Sequence, residues 1–285
     1  MATIPMISSV EDIRRSTMHQ KLDNFSSAML TAAIEESLRE FWGNWGRAPQ
    51  SELYDSPNML RLYTGVPFAF CNGVVCSQSS PEYIDTWIDE TVSYFSARNA
   101  TWEWIVGPNS TPASLENSLA EHGLFVHGEM IGMAINLHAM SQDIPAIDNL
   151  SIVPVGDAES LKKWANTVVE GFESLACYPT FVDLECSLGY RQPSYRRYLG
   201  YLDSQPVSTS ALFLGEKVAG IYCVATLPAA RGLGIGVKIT LHALREAQAM
   251  GYHIAVLHAS HMGRNVYRRL GFQEFSILRG YSPAK

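Results

Sequence analysis

Basic clusters are missing from this sequence. Lys and Arg number 21 against 28 Asp and Glu, the formal net charge is −7, and no stretch gathers cations. Nucleic acid and anionic membranes are held by basic patches, so neither is expected as a partner. Long apolar runs are missing as well: VAGIYCVA is among the longest, far below the roughly 20 residues that span a bilayer. The opening MATIPMISSVEDIRRS lacks the apolar core of a signal peptide, and the expected location is the cytoplasm. Cysteine is scarce and unpaired in pattern. Cys71, Cys76, Cys177, Cys186 and Cys223 make an odd set with no C-x-x-C spacing, which suits buried thiols in a reducing compartment rather than a disulfide framework. The nearest histidines, His258 and His261, have no Cys or carboxylate companion at ligand spacing, so no metal is expected.

What is present is a globular composition, 47% hydrophobic and 17% charged over 285 residues, enough for two domains of ordinary size. Apolar residues recur at helical spacing from Asn24 to Trp42 and again after Pro81, along Ile84, Ile88, Val92 and Phe95. NMLRLYTG, VPFAFCNGVVC, TWEWIVG and LFVHGEMIGMAINL have the character of strands, and TPASLENSLAEHG that of a short helix stopped by Gly123. Residues 139–150 are polar and proline-interrupted, which sets a boundary between a first domain at 1–145 and a second at 150–285. In the second, SIVPV is a strand and Asp157 caps a helix with Leu161, Trp164 and Val168 on its buried stripe. The stretch from Tyr178 to Tyr201 is expected to be partly helical. VSTSALFLGEKVAGIYCVATL forms a hairpin turning at Gly215-Glu216-Lys217. Both halves end in helix, strand, short helix and strand, the short helices closing at AEHGLF and YRRLGF, which suggests a duplication.

Chemistry concentrates after that hairpin. Pro228 ends the strand, and RGLGIG, from Arg231 to Gly236, leads into a helix with Ile239, Ala243, Ala247 and Met250 on its buried face. Amides bared at a helix start, aided by the helix dipole, form a diphosphate site that side-chain-free glycines let the anion approach. Neither G-x-G-x-x-G nor the Gly-Lys-Ser/Thr of a P-loop is matched. R-x-x-G-x-G after a proline-ended strand, followed by a strand and a helix ending Tyr267-x-x-x-Gly271-Phe272, resembles the GNAT family of acyl-CoA N-acyltransferases over at least Ala211 to Phe272.

The resemblance implies two GNAT-like α/β domains in tandem, each a mixed, mostly antiparallel sheet flanked by helices. It implies acetyl-CoA as co-substrate, with the backbone of Val224, Ala225 and Thr226 bonding the pantetheine arm. Arg231 and the amides of Gly232, Leu233, Gly234, Ile235, Gly236 and Val237 would hold the pyrophosphate. Tyr267 would protonate the departing thiolate, with Ser260 standing where the family often has Asn. An amide near Val224 or Ala225 is the candidate oxyanion donor. No carboxylate lies in the adjoining strands, which leaves the base to a water chain or to Glu170, Glu173, Asp183 or Glu185. His258, His261 and Cys223 read first as packing or surface residues. The first half has Leu119 where Tyr267 would fall and no glycine loop, so it is expected to be a degenerate copy. The expected acceptor is a small-molecule primary amine. A protein amine and a non-catalytic CoA sensor are the alternatives, and either a monomer or a homodimer fits.

Overall fold

The structure, a computed structural model, describes residues 25–141 and 144–284; the leader reading of residues 1–16 lies outside them. The described part of the first half opens with helix α1 (Ser27–Trp45), where the Ser26 hydroxyl accepts from the Met29 amide at 3.2 Å. Strands β1 (Glu52–Ser56), β2 (Met59–Tyr63) and β3 (Asn72–Val75) follow, then helix α2 (Ile84–Ser96), strand β4 (Glu103–Val106), helix α3 (Leu115–Glu121) and strand β5 (Leu124–Asn136). The second half contains strand β6 (Leu150–Pro154), helices α4 (Ala158–Gly171) and α5 (Tyr178–Ser187), strands β7 (Tyr195–Leu202), β8 (Gln205–Leu214) and β9 (Ala219–Thr226), helix α6 (Ile235–Ala249), strand β10 (Ile254–Ala259), helix α7 (Arg264–Leu270) and strand β11 (Gln273–Pro283). Asp157 caps α4 in a reciprocal box with Ser160, as its sequence position predicts.

The strands form one sheet of eleven in the order β1-β2-β3-β4-β11-β5-β10-β9-β8-β7-β6. In each half the pairs are antiparallel except one, β3 with β4 and β9 with β10. At the centre the halves exchange their last strands. β11 lies against β4 of the first half, β5 against β10 of the second, and β5 and β11 pair antiparallel over Leu124–Ala134 and Gln273–Pro283. The two halves are therefore joined in one continuous sheet, in which each repeats the other's order of strands about the β11-β5 centre.

Helices cover the sheet in three large apolar clusters, and a small fourth joins Val207, Ala230 and Ile235. α1, α4 and α5 share one, in which Phe41 stacks on Tyr222 at 3.8 Å between centroids and Trp45 meets Phe181 edge-on. α6 and α7 share a second with Leu212, Ile221, Leu257 and Ile131 of the strands, and α2 and α3 a third. A buried ion pair joins the first cluster across the halves: Arg197 Nε donates to Glu185 Oε2 at 2.7 Å, while Trp45 Nε1 and the Tyr195 hydroxyl donate to Oε1 at 2.9 and 3.2 Å. Removing one member of such a pair leaves an uncompensated buried charge and destabilises by about 3–5 kcal/mol.

Candidate active site

β9 and β10 pair only from Ala219 to Ile221 and from Ala255 to Leu257; beyond that they part, leaving a cleft between Tyr222–Thr226 and His258–Ala259. On its other edge β9 carries a bulge, where Cys223 and Val224 together face Ser210 of β8 and Cys223 has φ 49°. The extra residue turns the strand and re-aims its backbone. Beyond the bulge the Leu227 amide donates to Val207 O at 2.9 Å. Backbone polar groups alternate in direction along a strand, so Ala225 also faces β8 while Val224 and Thr226 face the cleft. The Ala225 carbonyl accepts from the Ser208 hydroxyl at 2.9 Å, which agrees with that direction. Of the three residues expected to bond a pantetheine arm through the backbone, two therefore face the opening and Ala225 does not.

A short 3₁₀ turn, Pro228–Ala230, leads to the glycine loop. Gly232 and Gly234 have φ of 82° and 80°, values that L side chains rarely adopt. Gly236 differs: its backbone is helical, and a Cβ there would meet nothing nearer than Thr226 Oγ1 at 3.6 Å. Among the described residues nothing forbids a Cβ at 236, which would lie in ordinary contact with Thr226 and Val266. Among the described residues the amides of Gly232, Leu233, Gly234, Ile235 and Gly236 find no acceptor, whereas Val237 donates to Gly234 O at 3.1 Å. The head of α6 thus presents five bare N–H groups at the positive end of a helix dipole.

Arg231 is placed otherwise than the sequence reading has it. Its Nε donates to Thr226 O at 3.1 Å, Nη1 to Glu173 Oε1 at 2.8 Å and Nη2 to Gly171 O at 2.8 Å. The guanidinium ties the loop to the end of α4 instead of standing free for an anion.

Tyr267 lies on α7 in the cluster that also holds Leu257, Ala259, Val237 and Phe272, with Val224 packed against it. Its ring is nearly buried, its hydroxyl makes no hydrogen bond among the described residues, and burial pushes its pKa well above that of an ordinary phenol. Ser260 sits at the end of β10, where its hydroxyl accepts from the Gly263 amide at 3.1 Å and its carbonyl from Arg264 N at 3.0 Å. A Cβ at Gly263 would lie 3.3 Å from Tyr267 Cε2 and 3.4 Å from Ser260 Oγ, so the three residues converge. Ser260 thereby shapes the turn into α7, and its hydroxyl is engaged by the backbone.

The proton acceptors considered from sequence are dispersed. Glu185 is held by Arg197 and Glu173 by Arg231, while Glu170 and Asp183 are exposed. His258 lies beside the point of divergence, 6.1 Å from the Tyr222 ring, both its nitrogens buried; burial lowers its pKa to about 4. Burial pushes the Cys223 thiol up, away from the thiolate a nucleophile needs. No group of three or more His, Cys, Asp or Glu is gathered for a metal ion, and no helix is long and apolar enough to cross a membrane, among the described residues.

The first half repeats the scaffold without the opening. β3 and β4 pair in parallel at Gly73–Val74 and Glu103–Trp104, and Cys76 has φ 53° just beyond, as Cys223 does in β9. There the mouth is closed. Gln78 bridges Thr111, whose amide donates to Ser77 O at 3.0 Å and whose carbonyl accepts from Ser79 at 3.1 Å. Glu35 fills the space beneath, accepting from the Asn109 amide at 3.2 Å with its pKa raised by burial. Leu119 is fully buried at the place Tyr267 holds in the second half. Sequence reasoning found the missing loop and phenol; it missed Glu35 and the bridge, which depend on partners far along the chain.

A diverging parallel strand pair, a bulge beside it and bare amides at the following helix thus come together in the second half. Residues 159–272 match the model of the Acetyltransferase (GNAT) family. A GCN5-related N-acetyltransferase from Kribbella flavida superposes with a TM-score of 0.68 at 17% identity, over 88% of this chain and 96% of that one. One from Sphaerobacter thermophilus gives 0.61 at 14% identity, over 85% and 84%. A tandem GNAT protein from the clavulanic acid biosynthesis pathway gives 0.54 at 11% identity, over 88% and 96%. These likenesses extend the shared fold across both halves. No curated protein matches the sequence.

Proposed function

We propose that the protein is an N-acetyltransferase that moves the acetyl group of acetyl-CoA to a primary amine of a small molecule, with chemistry confined to the second half. The observation that carries this reading is the cleft between β9 and β10 with the unpaired amides of residues 232–236 at its head. A diphosphate suits that cradle, because these donors lack acceptors among the described residues and Gly236 has no side chain to keep an anion from the backbone. The backbone of Val224 and Thr226 extends the site along the cleft, where a pantetheine amide can pair as an added strand.

In the reaction the amine nitrogen attacks the thioester carbon, and the negative charge on oxygen is stabilised by the Val224 N–H. Collapse breaks the C–S bond. Tyr267 gives its proton to the leaving sulfur, and water takes the proton lost by nitrogen, since among the described residues Glu185 and Glu173 are held in ion pairs. Even an unperturbed phenol, at about 10, is a weaker acid than a thiol of about 8.5, and burial makes Tyr267 weaker still. Transfer therefore requires the phenolate to be reprotonated from solvent as CoA leaves. Confinement of chemistry to one half rests on the contrast with the first half, whose mouth is bridged and whose corresponding residue is Leu119.

Titration calorimetry with CoA, followed by thiol release from acetyl-CoA over a panel of small amines and peptides, tests the reading. Micromolar binding with amine-dependent thiol release supports it. Binding without release points to a CoA sensor, and peptide-only release to a protein acetyltransferase. Absence of binding ends it.

A further inference from the structure

We propose that Glu173 is a positioning residue for the cofactor loop, acting through Arg231; this rests on the function proposed above. Arg231 immediately precedes the first bare amide, so its anchorage sets where that row of donors stands. Its three hydrogen bonds reach two separate elements, the end of β9 at Thr226 and the end of α4 at Gly171 and Glu173. Those ends already touch: a Cβ at Gly171 would lie 2.8 Å from Ala225 Cβ, so the helix terminus is seated on the strand. Glu173 is turned toward the loop by a left-handed backbone, φ 55°, a conformation uncommon for a residue with a side chain. The Glu173 and Ser174 amides close the helix end onto Glu170 O and Val169 O, each at 2.9 Å, which fixes that turn. The planar guanidinium meets its three acceptors from three separate nitrogens held in one rigid fork, a wider spread than the three hydrogens of a single ammonium nitrogen provide.

The geometry also sets apart the rival role, in which Arg231 leaves Glu173 to sit on the diphosphate. In a positioning clip the carboxylate helps the cofactor bind; in the rival it competes with the phosphate for the guanidinium, and the two give opposite signs on removing its charge. Because the pair is partly exposed, its own strength is modest. Loss of Glu173 is expected to act mainly through loop placement.

The test is calorimetry of CoA binding, with KM and kcat for acetyl-CoA, on full-length wild type, Glu173→Gln, Arg231→Lys and the double variant, each checked for folding by circular dichroism. The clip predicts that Glu173→Gln weakens CoA binding roughly 3- to 10-fold and raises KM in parallel with kcat changed less than about 2-fold. Arg231→Lys weakens it roughly 10-fold or more, and the double variant is no worse than Arg231→Lys alone. Tighter binding by Glu173→Gln, an unchanged Kd, or additive effects in the double variant overturn the clip while leaving the acetyltransferase reading intact. Failure of wild type to bind CoA removes both.

Discussion

Tyr267 and His258 stand at opposite faces of the same opening, and burial acts on them in opposite senses. Burial holds the phenol protonated well into the alkaline range, so the proton it is proposed to give is available at every physiological pH. Replacing Tyr267 with Phe keeps the ring and its packing and removes only the proton. The expected result is a fall in kcat of roughly 10²-fold, with the CoA dissociation constant little changed, read by steady-state kinetics and calorimetry. Burial lowers His258 from 6.5 to about 4. A depressed pKa means that the unfolded chain takes up the proton first, so the contribution to stability is intact above pH 6.5 and is lost as pH falls toward 4. It amounts to about 3 kcal/mol. Thermal unfolding of wild type should decline more steeply across that window than that of His258→Gln, and equal slopes would refute the assignment. Tyr267 was legible in the sequence through its distance from Gly271-Phe272. The engagement of Arg231 was not, because Glu173 lies 58 residues away and nothing local marks it as a partner.

At the level of elements, the loop and α6 separate two uses of glycine. Gly232 and Gly234 serve the turn through their positive φ, whereas Gly236 is helical and unobstructed. Substitution at 236 should therefore spare the fold and strike the ligand. Gly236→Ala, whose single added carbon the chain accommodates, is expected to retain a thermal midpoint within a few degrees of wild type while CoA affinity falls roughly 10-fold or more; comparable losses in both would mean that this glycine is structural. The order strand, glycine loop, helix, strand, helix was readable because the hydrophobic period changes at Pro228 and again at Gly251. Strand β7 was hidden inside the stretch read as partly helical, since its buried Tyr195, Tyr198 and Leu199 lie on both faces and give no clean alternation. The bulge at Cys223 was equally hidden, as it follows from register against β8 rather than from local sequence.

For the molecule as a whole, the repeat of element order along the chain foretold two copies of one scaffold, but not how they join. Which partner a final strand chooses depends on contacts more than 100 residues apart, beyond the reach of any pattern read along the chain. The exchange of β5 and β11 makes each half incomplete alone. A fragment of residues 146–285 would leave the β10 edge that β5 now covers unpaired, from Ile254 to Ala259. Expressed singly, fragments 1–145 and 146–285 are expected to aggregate or remain unfolded, and expressed together to recover a folded complex that binds CoA. A well-folded, monomeric 146–285 fragment by size-exclusion chromatography and circular dichroism would count against this.

The bridge between Gln78 and Thr111 shuts one of the two mouths, and the swapped strands tie the fate of the two halves together. If the chemistry is confined to the second half as proposed, the first is free to vary at positions such as Leu119, yet its removal would strip β10 of the edge that β5 supplies. Selection on one half then preserves the outline of the other without preserving its details.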